Sequence, residues 1–158
     1  MASYEPWNPQ RAVEIIAQHA DREGALLPIL HELQETFGHV PDAATPILAG
    51  ALNLSRADVH GVITFYHDYR RKPAGRHVLK LCRAEACQSR GGDAVAADVA
   101  KRLGVPIGST TADGMVTFEA VYCLGLCASG PAAMVDDRIV GRLTVGDRLD
   151  RVMKDVRG

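Results

Sequence analysis

All four cysteines of this chain lie between positions 82 and 127, and their spacing constrains the fold more than any other feature of the sequence. Cys82 and Cys87 have four residues between them, Cys123 and Cys127 have three, and 35 residues separate the two pairs. Four thiolates converging on one point suit Zn²⁺ or an iron–sulfur cluster far better than a hard cation. A fold for this chain therefore has to bring two distant pairs of sulfurs together.

The spacing disfavours several other kinds of cysteine site. Thiol–disulfide enzymes usually carry Cys-x-x-Cys, which neither pair here matches. A Rieske centre needs two histidine ligands, but the nearest histidine, His77, precedes Cys82 by five residues and none follows it. A plant-type ferredoxin has three cysteines close together. A structural zinc site and an iron–sulfur cluster of another ferredoxin class remain as the open alternatives.

Length and composition indicate an ordinary globular chain that has one domain or two small ones. The chain has 158 residues, of which 47% are hydrophobic, and a formal net charge of −1. The near-neutral charge argues against nucleic acid as a partner. The first residues, Met1 to Pro6, show no basic patch followed by an apolar run, so we expect no secretory signal. No apolar run approaches the ~20 residues that span a bilayer, so direct membrane insertion is not expected. We expect a cytoplasmic protein, whose thiols stay reduced and available for metal.

Before position 70, apolar residues recur at helical spacing four times, which predicts a helical bundle. The first helix starts at Asn8-Pro9 and ends by Gly24, and the second starts near Leu27-Pro28 and ends at Gly38. The residues expected to face inward are Val13, Ile16, Ala17 and Ala20 in the first helix, and Ile29, Leu30, Leu33 and Phe37 in the second.

Polar residues predict the starts of the third and fourth helices. Asp42 is the expected cap of the third, and Ser55 with Asp58 resembles a capping box at the start of the fourth. The fourth helix is expected to run through Tyr66. The paired spacing of His60 and His67 is best explained as polar surface, because no carboxylate or cysteine completes a metal site.

The polar stretch from Arg70 to Gly75 is the best domain boundary in the sequence, and we divide the chain into a helical domain over 1–72 and a second domain over 73–158. The second domain alternates strands and helices, which predicts a two-layer α/β fold close in outline to thioredoxin. Its predicted strands are 77–81, 115–121, 131–135 and 138–140, and its predicted helices are 92–103 and 145–156.

This layout places both cysteine pairs at one end of the sheet. Cys82 and Cys87 occupy the loop that leaves the first strand, and Cys123 and Cys127 occupy the loop that leaves the second long strand. Strand ends are where α/β folds place their chemistry. The two pairs can therefore meet.

Motifs in both halves of the chain resemble one known family, the thioredoxin-like [2Fe–2S] subunit of NADH dehydrogenases (respiratory complex I) and of related soluble NAD-linked formate dehydrogenases and hydrogenases. The matching stretches, in the family's order, are Phe37-Gly38-His39-Val40-Pro41, Val59-His60-Gly61-Val62-Ile63-Thr64-Phe65-Tyr66, the first cysteine pair leading into Arg90-Gly91-Gly92, and Cys123-Leu124-Gly125-Leu126-Cys127 followed by Gly130-Pro131.

The resemblance implies an N-terminal four-helix bundle region and a thioredoxin-like [2Fe–2S] ferredoxin domain. It also implies one [2Fe–2S] cluster with Cys82, Cys87, Cys123 and Cys127 as ligands, and so favours iron over zinc. The expected partner is a flavin subunit that binds FMN and NAD and exchanges single electrons with this cluster. The chain itself has no nucleotide-binding glycine motif, general-base constellation or molybdenum site, so we expect no catalytic residues of its own.

Within the family, the insert Arg83-Ala84-Glu85-Ala86 and the following Gln88 look most like the gamma subunit of the soluble NAD-dependent molybdenum formate dehydrogenase. That resemblance implies further iron–sulfur subunits and a molybdenum cofactor on a partner subunit. The same role in complex I or in an NAD-reducing hydrogenase is the alternative, and a zinc-stabilised interaction module is the alternative of a different class. Arg83 and Arg90 are candidates for tuning the cluster potential.

Overall fold

The computed structural model describes residues 4–157, which form two compact units, one up to Pro73 and one from Ala74 onward. The first unit contains four helices: α1 (Pro9–His19), α2 (Leu26–Phe37), α3 (Ala44–Leu52) and α4 (Arg56–Phe65). The second contains five strands, β1 (His77–Cys82), β2 (Ser109–Thr110), β3 (Val116–Val121), β4 (Ala133–Val135) and β5 (Arg138–Val140). Its α-helices are the single turn α5 (Glu85–Cys87), α6 (Asp93–Leu103) and α7 (Asp147–Arg157), and a 3₁₀ turn spans Cys127–Ser129.

The four helices of the first unit share one apolar core, to which each contributes. Its largest fully buried side chains are Ile15, Ile29, Leu30, Leu33, Phe37, Val40 and Leu48. The second helix follows the prediction closely, because the four residues expected to face inward are buried and Gly38 ends the helix in the left-handed conformation, with φ of 73°.

The inward face predicted for α1 is largely wrong. Val13 is 52% exposed and Ala17 is also exposed, whereas Ala12, Ile15 and Ile16 are buried. The helix also ends at His19, before Gly24. Asn8 does cap it, because its side chain accepts hydrogen bonds from the N–H groups of the first turn, so the start of α1 is confirmed.

The starts of α3 and α4 differ in their capping. Asp42 does not cap α3, which begins after Ala43 without a side-chain cap; the carboxylate instead forms an ion pair with Arg71. The capping box at α4 is confirmed, because Ser55 Oγ accepts from the Asp58 N–H at 3.0 Å while Asp58 accepts from the Ser55 N–H at 3.2 Å. The helix ends at Phe65, so His67 lies outside it and does not share a helical face with His60.

The strands of the second unit form one sheet in the order β2-β3-β1-β4-β5. β1 and β3 are parallel and are connected through α6, while the other pairs are antiparallel. One face of the sheet carries the apolar residues Leu79, Leu81, Val116 and Phe118, which share a core with α6 and α7, so the unit has two layers. The inward residues predicted for α6 (Val95, Ala96, Val99 and Leu103) are all buried. The short strand β2 was not predicted.

No helix within residues 4–157 is both long enough and apolar enough to cross a membrane.

Candidate metal centre

Cys82 is the last residue of β1, and the sheet register places it next to the end of β3. In the parallel pair, Cys82 lies opposite Val121, two residues before Cys123. The backbone N–H of Arg83 donates to the Val121 carbonyl at 2.8 Å, and the N–H of Cys82 donates to the Ala132 carbonyl at 2.9 Å. The sheet thus holds Cys82 between the end of β3 and the residue that precedes β4.

A single helical turn after β1 positions Cys87. Its backbone N–H donates to the Ala84 carbonyl at 3.0 Å, and the Gln88 side chain donates to the Arg83 carbonyl at 2.6 Å. The chain then passes close to itself, because a Cβ atom at Gly92 would lie 2.7 Å from the Cys87 carbonyl oxygen. Only glycine fits at that contact, so Gly92 helps to define how Cys87 is presented.

The loop after β3 presents the other two cysteines. Cys123 has a φ of 88°, a conformation that is uncommon for residues other than glycine and is often found at functional sites. The N–H of Gly125 donates to the Cys123 sulfur at 3.3 Å, and the sulfurs of Cys123 and Cys127 lie 3.8 Å apart. Two sulfurs bound at about 2.3 Å to one tetrahedral metal are about 3.8 Å apart. The pair is therefore spaced to share one metal ion.

The two loops meet at the Cys82 sulfur. Burial alone would raise the pKa of the Cys82 thiol, but hydrogen bonds to its sulfur from the Cys87 thiol and from the N–H groups of Ala84, Cys123 and Leu124 lower that pKa below its usual range. Leu124 and Leu126 of the second cysteine loop also pack against the cluster that contains Cys82 and Cys87. The two cysteine loops therefore converge at one end of the sheet, as the sequence predicts.

The pKa values of Cys87 and Cys127 shift in the opposite direction. Burial, together with the hydrogen bond to Cys82, raises the pKa of Cys87. The hydrogen bond with Cys123, followed by the charge of Cys123, raises the pKa of Cys127. These directions describe the free thiols, since a bound metal keeps its cysteine ligands deprotonated.

The four sulfurs form two pairs with different exposure. Cys82 and Cys87 are each 2% exposed and lie in a small apolar cluster with Ala132, whereas Cys123 and Cys127 are exposed. Within residues 4–157, no three histidine, cysteine or acidic side chains surround a single point closely enough to hold one metal ion. Two pairs of sulfurs match the donor set of a binuclear group in which each metal takes two protein ligands.

Sequence reasoning missed the contribution of the segment after Cys127. The Ala132 carbonyl accepts from the Cys82 N–H at 2.9 Å, and a Cβ atom at Gly130 would lie 3.2 Å from the Cys87 sulfur. Both residues act through the backbone, so no side-chain pattern marks them. The dipeptide Gly130-Pro131 after the last cysteine was the available signal.

The family described as thioredoxin-like [2Fe–2S] ferredoxin matches residues 12–157 of this chain. An NADH-quinone oxidoreductase subunit of Pseudomonas aeruginosa is 40% identical over 119 residues, which cover 75% of this chain and 72% of that protein. The HndA subunit of the NADP-reducing hydrogenase of Solidesulfovibrio fructosivorans is 31% identical over 137 residues, covering 87% of this chain and 80% of that protein.

A solved structure supports the fold. In the crystal structure of an NAD⁺-reducing [NiFe]-hydrogenase in the air-oxidized state, one chain resembles this protein with a TM-score of 0.69 and 23% sequence identity. The match covers 84% of this chain but 22% of the hydrogenase chain, so this protein corresponds to a small part of that larger chain.

Proposed function

Because this chain belongs to the thioredoxin-like [2Fe–2S] ferredoxin family, we propose that it is the electron-carrying iron–sulfur subunit of an NADH-dehydrogenase-type complex. The family carries a [2Fe–2S] cluster. We assign its ligands to Cys82, Cys87, Cys123 and Cys127. When bound, the cluster supplies one-electron transfer, whereas a flavin can divide the two electrons of a hydride.

The observation that carries this assignment is the meeting of the two cysteine loops at Cys82. Cys82 lies opposite Val121, two residues before Cys123, and Leu124 and Leu126 of the other loop pack against the cluster of Cys82, Cys87 and Ala132. Pairing by loop assigns one iron to Cys82 and Cys87 and the other to Cys123 and Cys127. The 3.8 Å separation of the Cys123 and Cys127 sulfurs supports that pairing.

The residues of this chain have three tasks in the proposed function. The sheet register and the glycine contacts hold the cysteine sulfurs in place. The apolar surroundings of Cys82 and Cys87 exclude water from one side of the site, while the exposed pair leaves the other side open to a partner. Electrons would enter or leave through the open side, where a flavin subunit with FMN and NAD is the proposed partner.

The identity of the complex is a finer proposal. The relatives named above are subunits of NADH-quinone oxidoreductase and of a hydrogenase, so the comparisons do not support the predicted formate dehydrogenase. That assignment, with its molybdenum subunit, rests on Arg83-Ala84-Glu85-Ala86 and Gln88 alone. Purification of the native complex followed by analysis for molybdenum and nickel distinguishes the possibilities.

The predicted domain boundaries and the cytoplasmic location also remain proposals. A four-helix bundle over 1–72 and a thioredoxin-like domain over 73–158 are supported by the separate apolar cores of the two units. A location where thiols stay reduced suits four free cysteines.

Metal and sulfide analysis of the anaerobically purified full chain tests the proposed function. We expect about two irons and two acid-labile sulfides per chain, and an electron paramagnetic resonance signal after reduction. Replacing any one of the four cysteines by serine should remove most of this iron. Ser89→Ala is the matched control, because Ser89 lies in the same loop but its hydroxyl donates to the Ala86 carbonyl at 3.1 Å.

The main competing function makes the opposite prediction. A zinc-stabilised interaction module would be colourless, would hold zinc in stoichiometric amount and would unfold on addition of chelator. That result would contradict the proposed electron transfer.

A further inference from the structure

Arg90 connects the two cysteine-bearing segments. It is the third residue after Cys87, and its Nε–H donates to the carbonyl oxygen of Gly130 at 3.0 Å. Gly130 is itself the third residue after Cys127. One side-chain hydrogen bond therefore joins the segment behind the first cysteine pair to the segment behind the second.

The same side chain lies close to a cysteine sulfur. A Cβ atom at Gly130 would lie 3.2 Å from the Cys87 sulfur and 3.4 Å from Cδ of Arg90. These distances add to 6.6 Å, which is the largest separation that the sulfur and Cδ can have. Cδ is bonded directly to the guanidinium group, so the positive charge of Arg90 lies near Cys87.

The charge of Arg90 has no acidic partner among residues 4–157, since no carboxylate there lies within ion-pairing distance of it. Arg83, in the same segment, differs in this respect, because its Nη2 lies 2.8 Å from Asp93 Oδ1. An arginine stays protonated at every pH at which proteins fold. Arg90 thus brings a permanent positive charge that has no ion-pair partner among residues 4–157 to this side of the site.

We propose that Arg90 is a positioning residue of the site, which holds the two cysteine segments together and whose charge raises the reduction potential of the cluster. This inference rests on the proposed function. Reduction adds one negative charge, and a nearby positive charge stabilises the reduced form more than the oxidised form. Because Cys87 is buried, solvent screens this interaction less than it would at an exposed site.

A redox titration of the loaded full chain, followed by electron paramagnetic resonance, tests the inference. Arg90→Gln should lower the equilibrium constant for reduction of the cluster by about tenfold. For a one-electron couple this makes the reduction potential about 59 mV more negative. Arg90→Lys keeps the charge and should shift the potential less than half as far. An unchanged potential in Arg90→Gln overturns the inference.

A neutral variant controls for disturbance of the loop. Ser89→Ala removes the hydrogen bond from the Ser89 hydroxyl to the Ala86 carbonyl in the same segment and alters no charge. We expect its potential to match that of the wild-type chain. If Ser89→Ala shifts the potential as far as Arg90→Gln does, loop disturbance rather than charge explains the effect and the inference is overturned.

If Arg90→Gln does not retain the cluster, Arg90→His makes the same comparison within one protein. A histidine side chain ordinarily titrates near pH 6.5, so it is positively charged at pH 5.5 and neutral at pH 8. The reduction potential of Arg90→His should therefore be higher at pH 5.5 than at pH 8, and the difference should exceed that of the wild-type chain. Equal pH dependence overturns the inference. A wild-type chain that holds no iron and sulfide overturns the proposed function and this inference together, whereas a loaded wild-type chain limits any failure to Arg90.

Discussion

Gly130 shows how closely the backbone approaches a cysteine sulfur at this site. An added Cβ atom would lie 3.2 Å from the Cys87 sulfur, which is tighter than most real contacts of a Cβ atom. The neighbouring Arg90 side chain is bonded to the Gly130 carbonyl, and the Cys87 sulfur belongs to a buried residue. Glycine at this position therefore avoids a tight contact with the Cys87 sulfur and does not reflect a special backbone conformation.

We expect Gly130→Ala to loosen the binding of iron while leaving the helical unit intact. The methyl group has to displace either the sulfur or the Arg90 side chain, so the iron content of the purified chain should fall below that of the wild-type chain. Gly50→Ala is the control, because a Cβ atom at Gly50 in α3 meets no atom within 4 Å. Unchanged iron content in Gly130→Ala would show that the contact relaxes freely.

Among the elements, α3 and α4 show how helix starts differ in strength. Ser55 and Asp58 satisfy each other's backbone N–H groups at the start of α4, and their side chains also bond directly at 2.6 Å. Asp42 only forms an exposed ion pair with Arg71. A capping hydrogen bond satisfies a backbone group that has no partner in the helix, while an exposed ion pair is screened by water.

The free energy of unfolding should respond accordingly. Ser55→Ala is expected to lower it by about 1 kcal/mol, in the range found for lost N-caps. Asp42→Ala should lower it by less, because exposed ion pairs contribute about 0–1 kcal/mol. Chemical denaturation of both variants measures the difference, and a larger loss for Asp42→Ala would contradict the capping assignment.

At the scale of the whole molecule, each unit has an apolar core of its own, and the four cysteines belong to the second. The core of the first unit is formed by α1 to α4 and contains no cysteine. The cysteines lie at and beyond the carboxyl ends of β1 and β3 in the second unit. A ligand that binds the folded chain stabilises the part that holds it, so metal binding should act unequally on the two units.

Hydrogen exchange before and after removal of the metal measures this difference. We expect amide protection to fall from the end of β1 through Cys87 and around Cys123 to Ala132, because the metal no longer ties the two loops together. Protection in α2 and α4 should change little. Equal loss of protection in both units would show that the first unit depends on the metal as much as the second does.

The sequence alone was sufficient for the features that depend on local patterns. Apolar periodicity predicted the extents of α2 and α6, and two polar residues predicted the capping box of α4, because these features depend on residues near one another in the chain. Cysteine spacing and strand order predicted that both cysteine pairs lie at the same end of the sheet. The two-residue strand β2 is too short to carry a pattern. The wrong face of α1 has a related cause: Ala12 and Val13 both suit an apolar face, and packing against α2 and α3 decides which one is buried.

The tertiary structure alone decided which groups surround the sulfurs. Three contacts join residues about 40 to 50 positions apart: the approach of Gly130 to the Cys87 sulfur, the bond from the Cys82 N–H to the Ala132 carbonyl, and the bond from Arg90 to the Gly130 carbonyl. The separate environments of Arg83 and Arg90 also arise there, since only one of them lies beside a carboxylate. These contacts depend on the path of two loops through space. Backbone groups make most of them, and because backbone groups are the same at nearly every residue, the sequence does not show them.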